Sequence, residues 1–111
     1  MVARRRAGRL VELRISGHAG FAAAGEDIVC AAASALVMSA AYGLQHHCGG
    51  AARVADEPGH DYVLALRNAG DPRAQAVLET ALSGLRAIAR SYPGYLDVRI
   101  SAGIGPRRPK T

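Results

Sequence analysis

The sequence predicts an α+β fold of two layers, in which a mixed sheet packs with two helices in the chain order ββαββαβ. Short runs of alternating apolar and polar residues occur along the chain, as is typical of half-buried strands. Two longer runs with apolar residues at helical spacing lie between them. Because consecutive strands tend to pair and an apolar helix face must be covered, these observations favour one sheet with both helices packed against it.

The first two strands are predicted at Val2 to Arg6 and Leu10 to Ile15, with a turn at Ala7-Gly8. The apolar residues of the second strand are expected on one face of the sheet: Val11, Leu13 and Ile15. Its charged residues, Glu12 and Arg14, are expected on the opposite face. The arginines at positions 4–6 are interpreted as part of a solvated edge strand that discourages aggregation, in preference to a nucleic-acid patch.

The first helix is predicted to begin near Glu26 or Asp27, where acidic side chains complement the positive end of the helix dipole. It extends to about residue 47 and is apolar almost all round. Such a helix is buried on more than one side, so it packs between the sheet and the second helix or meets a second subunit. Its small residues permit close helix approach, and we expect a symmetric homodimer.

The second half of the chain begins with a predicted hairpin. Its strands are expected at Ala51 to Ala55 and Tyr62 to Leu66, because Pro58-Gly59 between them is a turn signal. A final strand is predicted from Leu96 to Ile100, where apolar and charged residues alternate again.

The second helix has the clearest boundaries in the sequence. Asp71 is the expected N-cap, Pro72 the first helical residue, and Tyr92-Pro93-Gly94 the stop. Residues 1–102 are expected to form a single domain, and residues 103–111 a disordered basic tail that contacts RNA or serves only solubility.

The composition restricts the classes of function. The chain has 14 basic and 9 acidic residues, a net charge of +5, which suits a cytoplasmic protein that works near ribosomes or RNA through its basic termini. Two cysteines do not make a disulfide scaffold, and on one helix Cys30 and Cys48 would lie about 27 Å apart, too far for a bridge. The run from Ile28 to Leu44 is expected to be too short and too weakly apolar to span a membrane.

Three potential metal ligands lie together at His46-His47-Cys48. Adjacent ligands at a helix end rarely converge on one ion, and histidine is favourable there because it complements the helix dipole. We therefore predict no metal site and no cofactor.

The strongest functional signal runs from Gly17 to Leu36. His18 follows a strand, and Cys30 lies in the opening turns of a helix twelve residues later. A helix N-terminus favours a thiolate, and a neighbouring imidazole serves as base and then as acid in acyl transfer. A lone cysteine in an apolar helix is also often an inert core residue, so spacing alone leaves both interpretations open.

Two short motifs, Gly17-His18-Ala19 and Gly25-Glu26-Asp27-Ile28-Val29-Cys30-Ala31, resemble the signature of the ribosomal-processing cysteine protease family, often called Prp. Ser34 follows one helical turn later, as in that signature. The resemblance implies a bacterial cysteine endopeptidase that removes a short N-terminal extension from a large-subunit ribosomal protein. Cys30 is then the nucleophile, and His18 is the general base and acid.

Two further residues are candidates for supporting roles. Asp27 orients His18 or caps the helix, and Ser34 bonds near the thiol or back to a helix carbonyl. The connector from Gly17 to Gly25 is expected to cover a bound peptide, with little to order it before substrate binds. Its punctuating residues form the predicted substrate loop: Gly17, Gly20, Phe21 and Gly25.

That connector should be weakly ordered between Ala19 and Ala24 in the free enzyme. Substrate is then expected to bring His18 to within about 3 Å of the sulfur. The alternative function is a non-catalytic ribosome- or RNA-associated binding module that uses the basic termini, with Cys30 as a core residue.

Overall fold

The computed structural model describes residues 1–15, 24–50, 52–56 and 61–102. Its elements follow the predicted order: β1 Val2–Arg6, β2 Arg9–Ile15, α1 Ala24–His47, β3 Ala52–Ala55, β4 Tyr62–Leu66, α2 Pro72–Ser91 and β5 Arg99–Ser101. The turn expected at Pro58-Gly59 and the tail at 103–111 lie outside the described residues.

The five strands form one sheet in the order β3-β4-β2-β1-β5. β1 and β5 are parallel, whereas the other neighbouring pairs are antiparallel, so the sheet is mixed. Both helices contact the sheet and each other. The predicted two-layer α+β fold is therefore confirmed, including the pairing of β3 with β4.

The expectation that β1 is an edge strand is wrong. β5 pairs with it on the side away from β2, so the sheet ends at β3 and β5. The Met1 carbonyl accepts a hydrogen bond from the Arg99 amide at 3.0 Å, which extends this pairing. β5 also begins at Arg99 rather than Leu96, and Leu96 and Val98 instead pack half-buried against the core before the strand starts.

A two-residue hairpin joins β1 to β2. Ala7 and Gly8 have φ angles of 52° and 80°, the left-handed conformation that a tight turn matched to the strand twist requires. Gly8 adopts this conformation without the steric cost that a side chain would carry.

A β-bulge beyond this hairpin corrects the expected alternation of β2. Arg4 is opposite Glu12 and Arg5 is opposite Leu10, so Val11 is an extra residue in the pairing. Leu10 is consequently fully buried, and Val11 is only half-buried. Regular alternation would have turned Val11 and Arg9 toward the helices, whereas the bulge leaves Arg9 exposed.

The backbone of Leu10 is held by a side chain from α2. The Gln75 amide accepts a hydrogen bond from the Leu10 N–H at 3.0 Å and donates one to the Leu10 carbonyl at 2.6 Å. Nearby, the Arg5 guanidinium donates two hydrogen bonds to the Glu79 carboxylate, at 2.7 and 3.1 Å. This pairing lowers the pKa of Glu79 and raises that of Arg5. Both contacts fix α2 over the β1–β2 hairpin.

The core lies between the sheet and the two helices. α2 begins as predicted, with the Asp71 carboxylate accepting a hydrogen bond from the Arg73 N–H at 2.9 Å and Pro72 as the first helical residue. Small residues let the helices approach closely, because a Cβ at Gly84 would lie 2.9 Å from the Leu36 side chain. The fully buried large side chains are Leu10, Leu13, Leu44, Leu64, Leu78, Leu82, Leu85, Val29 and Val37.

α1 begins at Ala24, two or three residues earlier than predicted, so Ala24 and Gly25 belong to the helix rather than to the preceding connector. Its segment Ile28–His47 has a mean hydropathy of 1.6 over 20 residues and meets the length and composition of a membrane span. The expectation that it is too short and weakly apolar is therefore wrong. We interpret α1 as a core helix because one side of it is buried against the rest of the chain: Val29, Ala33, Val37, Ala40, Ala41 and Leu44.

The bulge predicts different costs for two neighbouring substitutions. Leu10→Ala should destabilise the protein by about 2–4 kcal/mol, because it leaves a cavity in the core. Val11→Ala should cost about 1 kcal/mol or less, since its side chain is only half-buried. Urea unfolding of both variants measures the difference. A larger loss of stability in Val11→Ala than in Leu10→Ala would indicate regular alternation in β2 and contradict the bulge.

Candidate active site

Cys30 lies on α1, six residues after the helix begins, which corresponds to about 9 Å along the axis. The unpaired N–H groups of a helix belong to its first four residues, and the influence of the dipole is concentrated in the first turn. The early start of α1 therefore places those N–H groups at residues 24–27, ahead of Cys30. The thiol is half-buried and free, and that of Cys48 is also free.

A cavity of about 120 Å³ lies beside this part of α1. Ser34, one helical turn after Cys30, forms part of its wall. The cavity is bounded by α1, the end of β2 and the hairpin of β3 and β4, and its lining residues are Ile15, Ser34, Val37, Met38, Asp56 and Tyr62.

The lining combines an apolar wall with polar groups. Ile15 and Tyr62 are directly opposite each other on β2 and β4, so both side chains are on the same face of the sheet. Burial raises the pKa of Tyr62 above its ordinary value, and the negative charge of Asp56 raises it further. Tyr62 therefore remains a neutral phenol that can donate a hydrogen bond at neutral pH.

The size of the cavity limits what it can hold. Sites for drug-sized ligands and cofactors measure about 300–1,000 Å³. A cavity of about 120 Å³ instead suits one side chain of a larger ligand, such as a residue of a peptide. Ser34, Asp56 and Tyr62 supply the groups that would orient it.

The predicted site residues divide into two groups. Cys30 and Ser34 lie on α1 as expected, and Asp27 and Gly25 belong to its first residues. The others lie outside the described residues: Gly17, His18, Gly20 and Phe21. The predicted pairing of His18 with Cys30 and the predicted weak order of the loop between Ala19 and Ala24 in the free enzyme thus stay predictions.

Sequence reasoning missed the contribution of the strands to this site. Ile15, Asp56 and Tyr62 reach the cavity only because β4 pairs with β2 and β3 pairs with β4. The signal that could have indicated this contribution is the predicted hairpin, because its second strand begins with a tyrosine on the apolar face. Its register against β2 is set by long-range pairing, which local patterns do not specify.

The C-terminal end of α1 has its own cluster of polar residues. His46 and His47 are exposed, and the His46 ring stacks on Tyr42 with a centroid distance of 6.4 Å. Within residues 1–15, 24–50, 52–56 and 61–102, no three His, Cys, Asp or Glu side chains are grouped as metal ligands. The absence of a cofactor stays a prediction.

Comparison with known proteins identifies the family. Residues 1–97 match the family model described as cysteine protease Prp. The chain belongs to this family. The sequence-based assignment to Prp and to the cysteine proteases is therefore confirmed, and the alternative of a non-catalytic binding module is not supported. No curated protein matched the chain.

Solved structures show the same fold. SMU.848 from Streptococcus mutans is 30% identical, with a TM-score of 0.75 and 91% of each chain covered. An essential ribosomal processing protease Prp from S. aureus, with a covalently linked product peptide, is 23% identical, with a TM-score of 0.72 over 90% of this chain and 98% of the other. The same S. aureus protease with a substrate peptide is 22% identical, with a TM-score of 0.72 over 91% and 97%.

The environment of Tyr62 predicts a specific pH dependence. The pKa of Tyr62 is higher in the folded protein than in the unfolded chain, so the protonated phenol contributes to the free energy of unfolding. This contribution is fully present below the pKa of the unfolded chain, about 10, and is lost as the pH rises through the pKa of the folded protein. Tyr62→Phe should therefore reduce the loss of stability above about pH 10. Urea midpoints at neutral and alkaline pH provide the measurement. Tyr95→Phe, at an exposed tyrosine after α2, is the matched control, and an equal effect there would contradict the assignment.

Proposed function

We propose that this Prp-family protease removes a short N-terminal extension from a large-subunit ribosomal protein, with Cys30 as nucleophile and His18 as general base and acid. The observation that carries the proposal is the position of Cys30. It is an accessible thiol in the family-matched region, one helical turn from a cavity of the size of a peptide side chain. The S. aureus structures are of a ribosomal processing protease with peptides bound, which supports the substrate class.

Burial separates the two thiols of the chain. Cys48 is only 5% exposed and belongs to the core, whereas Cys30 is half-buried. A nucleophile must reach a carbonyl carbon of an incoming peptide, and a core thiol does not. The arrangement therefore favours Cys30.

The proposed reaction proceeds through an acyl-enzyme. The Cys30 sulfur attacks the scissile carbonyl while His18 takes the thiol proton, and His18 then gives that proton to the leaving amine as the peptide bond breaks. Water, deprotonated by His18, next attacks the thioester, and the thiolate leaves and is reprotonated. The N–H groups at the start of α1 are the candidate donors to the oxyanion.

The surroundings of Cys30 have proposed roles in holding the peptide. The cavity lined by Ser34, Asp56 and Tyr62 would accept one substrate side chain, and the segment from Gly17 to Gly25 would cover the backbone beside it. Asp27 would orient His18 or cap α1. Processing of a ribosomal protein implies a cytoplasmic location, which we propose on that ground.

Cleavage of a precursor tests this function. A ribosomal protein that carries its N-terminal extension is incubated with the parent protein and variants, and the products are read by mass spectrometry. Cys30→Ala and His18→Ala should lower kcat/KM by at least about 10³-fold, because each removes one half of the dyad. Cys48→Ala is the matched control and should cleave at the parent rate. Turnover by Cys30→Ala equal to that of the parent would refute the proposed chemistry.

We also propose that the protein is a homodimer formed through α1. Several apolar residues on one side of this helix are exposed, and they recur at intervals of three and four: Ile28, Ala31, Ala35, Met38 and Tyr42. Ile28 and Tyr42 are 67% and 57% exposed. This spacing is that of a helix–helix seam. Cys30 lies roughly 120° around the helix from the centre of the stripe, so a partner helix would leave the thiol accessible.

Sedimentation tests the dimer. The parent chain should sediment at twice its mass of 11.5 kDa at micromolar concentration. The double variant Ala35→Glu/Tyr42→Glu should sediment as a monomer, because charges in the seam of a symmetric pair face one another. Ser83→Glu/Ala87→Glu, on the exposed side of α2, is the control. A monomeric parent would rule out this assembly.

A further inference from the structure

The face of the sheet opposite the helices carries an unusual number of arginines. This outer face follows from the strand register, because residues paired across strands project to the same side. Leu13 and its partners Ala3 and Leu64 are on the helix side, so their neighbours along each strand are on the outer side. The outer arginines in the strands are Arg4, Arg6, Arg9, Arg14, Arg53 and Arg99.

Two adjacent rows of paired residues place most of these arginines together. One row crosses all five strands as Arg53, Ala65, Glu12, Arg4 and Ser101. The next row crosses them as Ala55, Val63, Arg14, Val2 and Arg99. With strands about 4.8 Å apart, each row is about 19 Å wide. The result is a basic surface about the width of the sheet.

One carboxylate organises the centre of this surface. The same Oε2 atom of Glu12 lies 3.3 Å from Nη1 of Arg4 and 3.4 Å from Nε of Arg14. Glu12 is 14% exposed, whereas the two arginine side chains are 33% and 41% exposed. Two guanidinium groups thus share one nearly buried carboxylate, which orders them and leaves positive charge and free donors toward solvent.

The remaining carboxylates do not neutralise the surface. Arg14 also lies 3.6 Å from Asp61, and Arg99 lies 2.8 Å from Asp97. Among the ion pairs of the described residues, neither Arg6 nor Arg53 has a carboxylate partner. The arginines therefore outnumber the acidic groups that contact them.

Protection of a sheet edge explains only part of this pattern. Arg53 and Arg99 are on the edge strands β3 and β5, whereas Arg4 and Arg14 are on paired stretches of β1 and β2 inside the sheet. The bulge in β2 adds Arg9, paired with Arg6, to the exposed positions near the hairpin. Positive charges held close together repel one another, so such a face is stabilised by a polyanion.

The chemistry of the face indicates which polyanion. Arginine presents a fork of donors that matches phosphate oxygens. Apart from the arginines and Glu12, the outward residues of the two rows are small or aliphatic, and none of them is aromatic. Single-stranded nucleic acids are held by stacking on aromatic side chains, whereas duplexes are held through their backbones. The face therefore suits a duplex.

We propose that the outer face of the sheet docks the phosphate backbone of double-helical RNA. The choice of RNA over DNA rests on the proposed function, since a ribosomal protein has RNA as its binding partner. The cavity beside Cys30 is on the helix side of the sheet, where Ile15 and Tyr62 project. RNA and substrate peptide thus bind on opposite faces and do not compete.

The test measures binding of a fluorescent RNA duplex by anisotropy over a series of salt concentrations. Arg4→Gln/Arg53→Gln should weaken binding of the duplex about tenfold or more at low salt. It should also reduce the slope of log K against log salt by about 2, because each phosphate contact that is lost reduces the slope by about 1. Arg86→Gln/Arg90→Gln makes the same change in charge on the exposed side of α2 and is the control. Thermal unfolding of both variants confirms that they are folded.

Several outcomes would overturn the proposal. These are absence of duplex binding by the parent, equal weakening in the control variant, and equally tight binding of the single strand. Tighter binding of a DNA duplex of the same sequence would overturn the choice of RNA. Cleavage of the free precursor is measured in parallel and should be unchanged in both variants. If the parent protein cleaves the precursor but does not bind the duplex, only the docking surface is refuted. If it binds the duplex through these arginines but does not cleave the precursor, only the proposed function is refuted.

Discussion

The two hydrogen bonds between the Gln75 side chain and the backbone of Leu10 are the constraint that holds the bulged start of β2 against α2. Leu10 lies beside the extra residue Val11, and β4 pairs with β2 only from Glu12 to Ile15, so the backbone of Leu10 has no paired strand on that side. The Gln75 amide satisfies both polar groups of Leu10 from α2, at 3.0 and 2.6 Å. Leu10 can therefore be buried without an orphaned donor or acceptor, which would cost about 1–3 kcal/mol each. The same contact fixes α2 over the hairpin, while the bulge keeps Arg9 in solvent.

Elements with local signals could be predicted from the sequence, and long-range features could not. Gly8 specifies a tight turn, and Asp71 with Pro72 specifies a helix start, because each acts on backbone only a few residues away. The side chain that holds the backbone of Leu10 beside the bulge is Gln75, which is 65 residues away. The position of β1 inside the sheet likewise depends on the return of the chain through α2 to β5. No pattern within either strand contains that information.

The candidate site shows the same division. Cys30 and Ser34 share one side of α1 because they are four residues apart, so helical spacing was enough to place them together. Asp56 and Tyr62 reach the cavity that Ser34 lines only through the register of β4 against its two neighbours. The sequence thus placed Cys30 and Ser34 together on one helix, as the structure has them. The residues that the strands contribute to the cavity, which would contact the substrate side chain, could be identified only from the three-dimensional fold.

The location of Cys30 inside the hydrogen-bonded ladder of α1 has a consequence for protein motion. α1 is anchored to the core along one side by buried side chains between Val29 and Leu44. Its backbone is therefore expected to open less readily than a surface loop. If Cys30 acts as the nucleophile that we propose, the rearrangement on substrate binding is expected in the groups that approach the sulfur rather than in the helix that carries it.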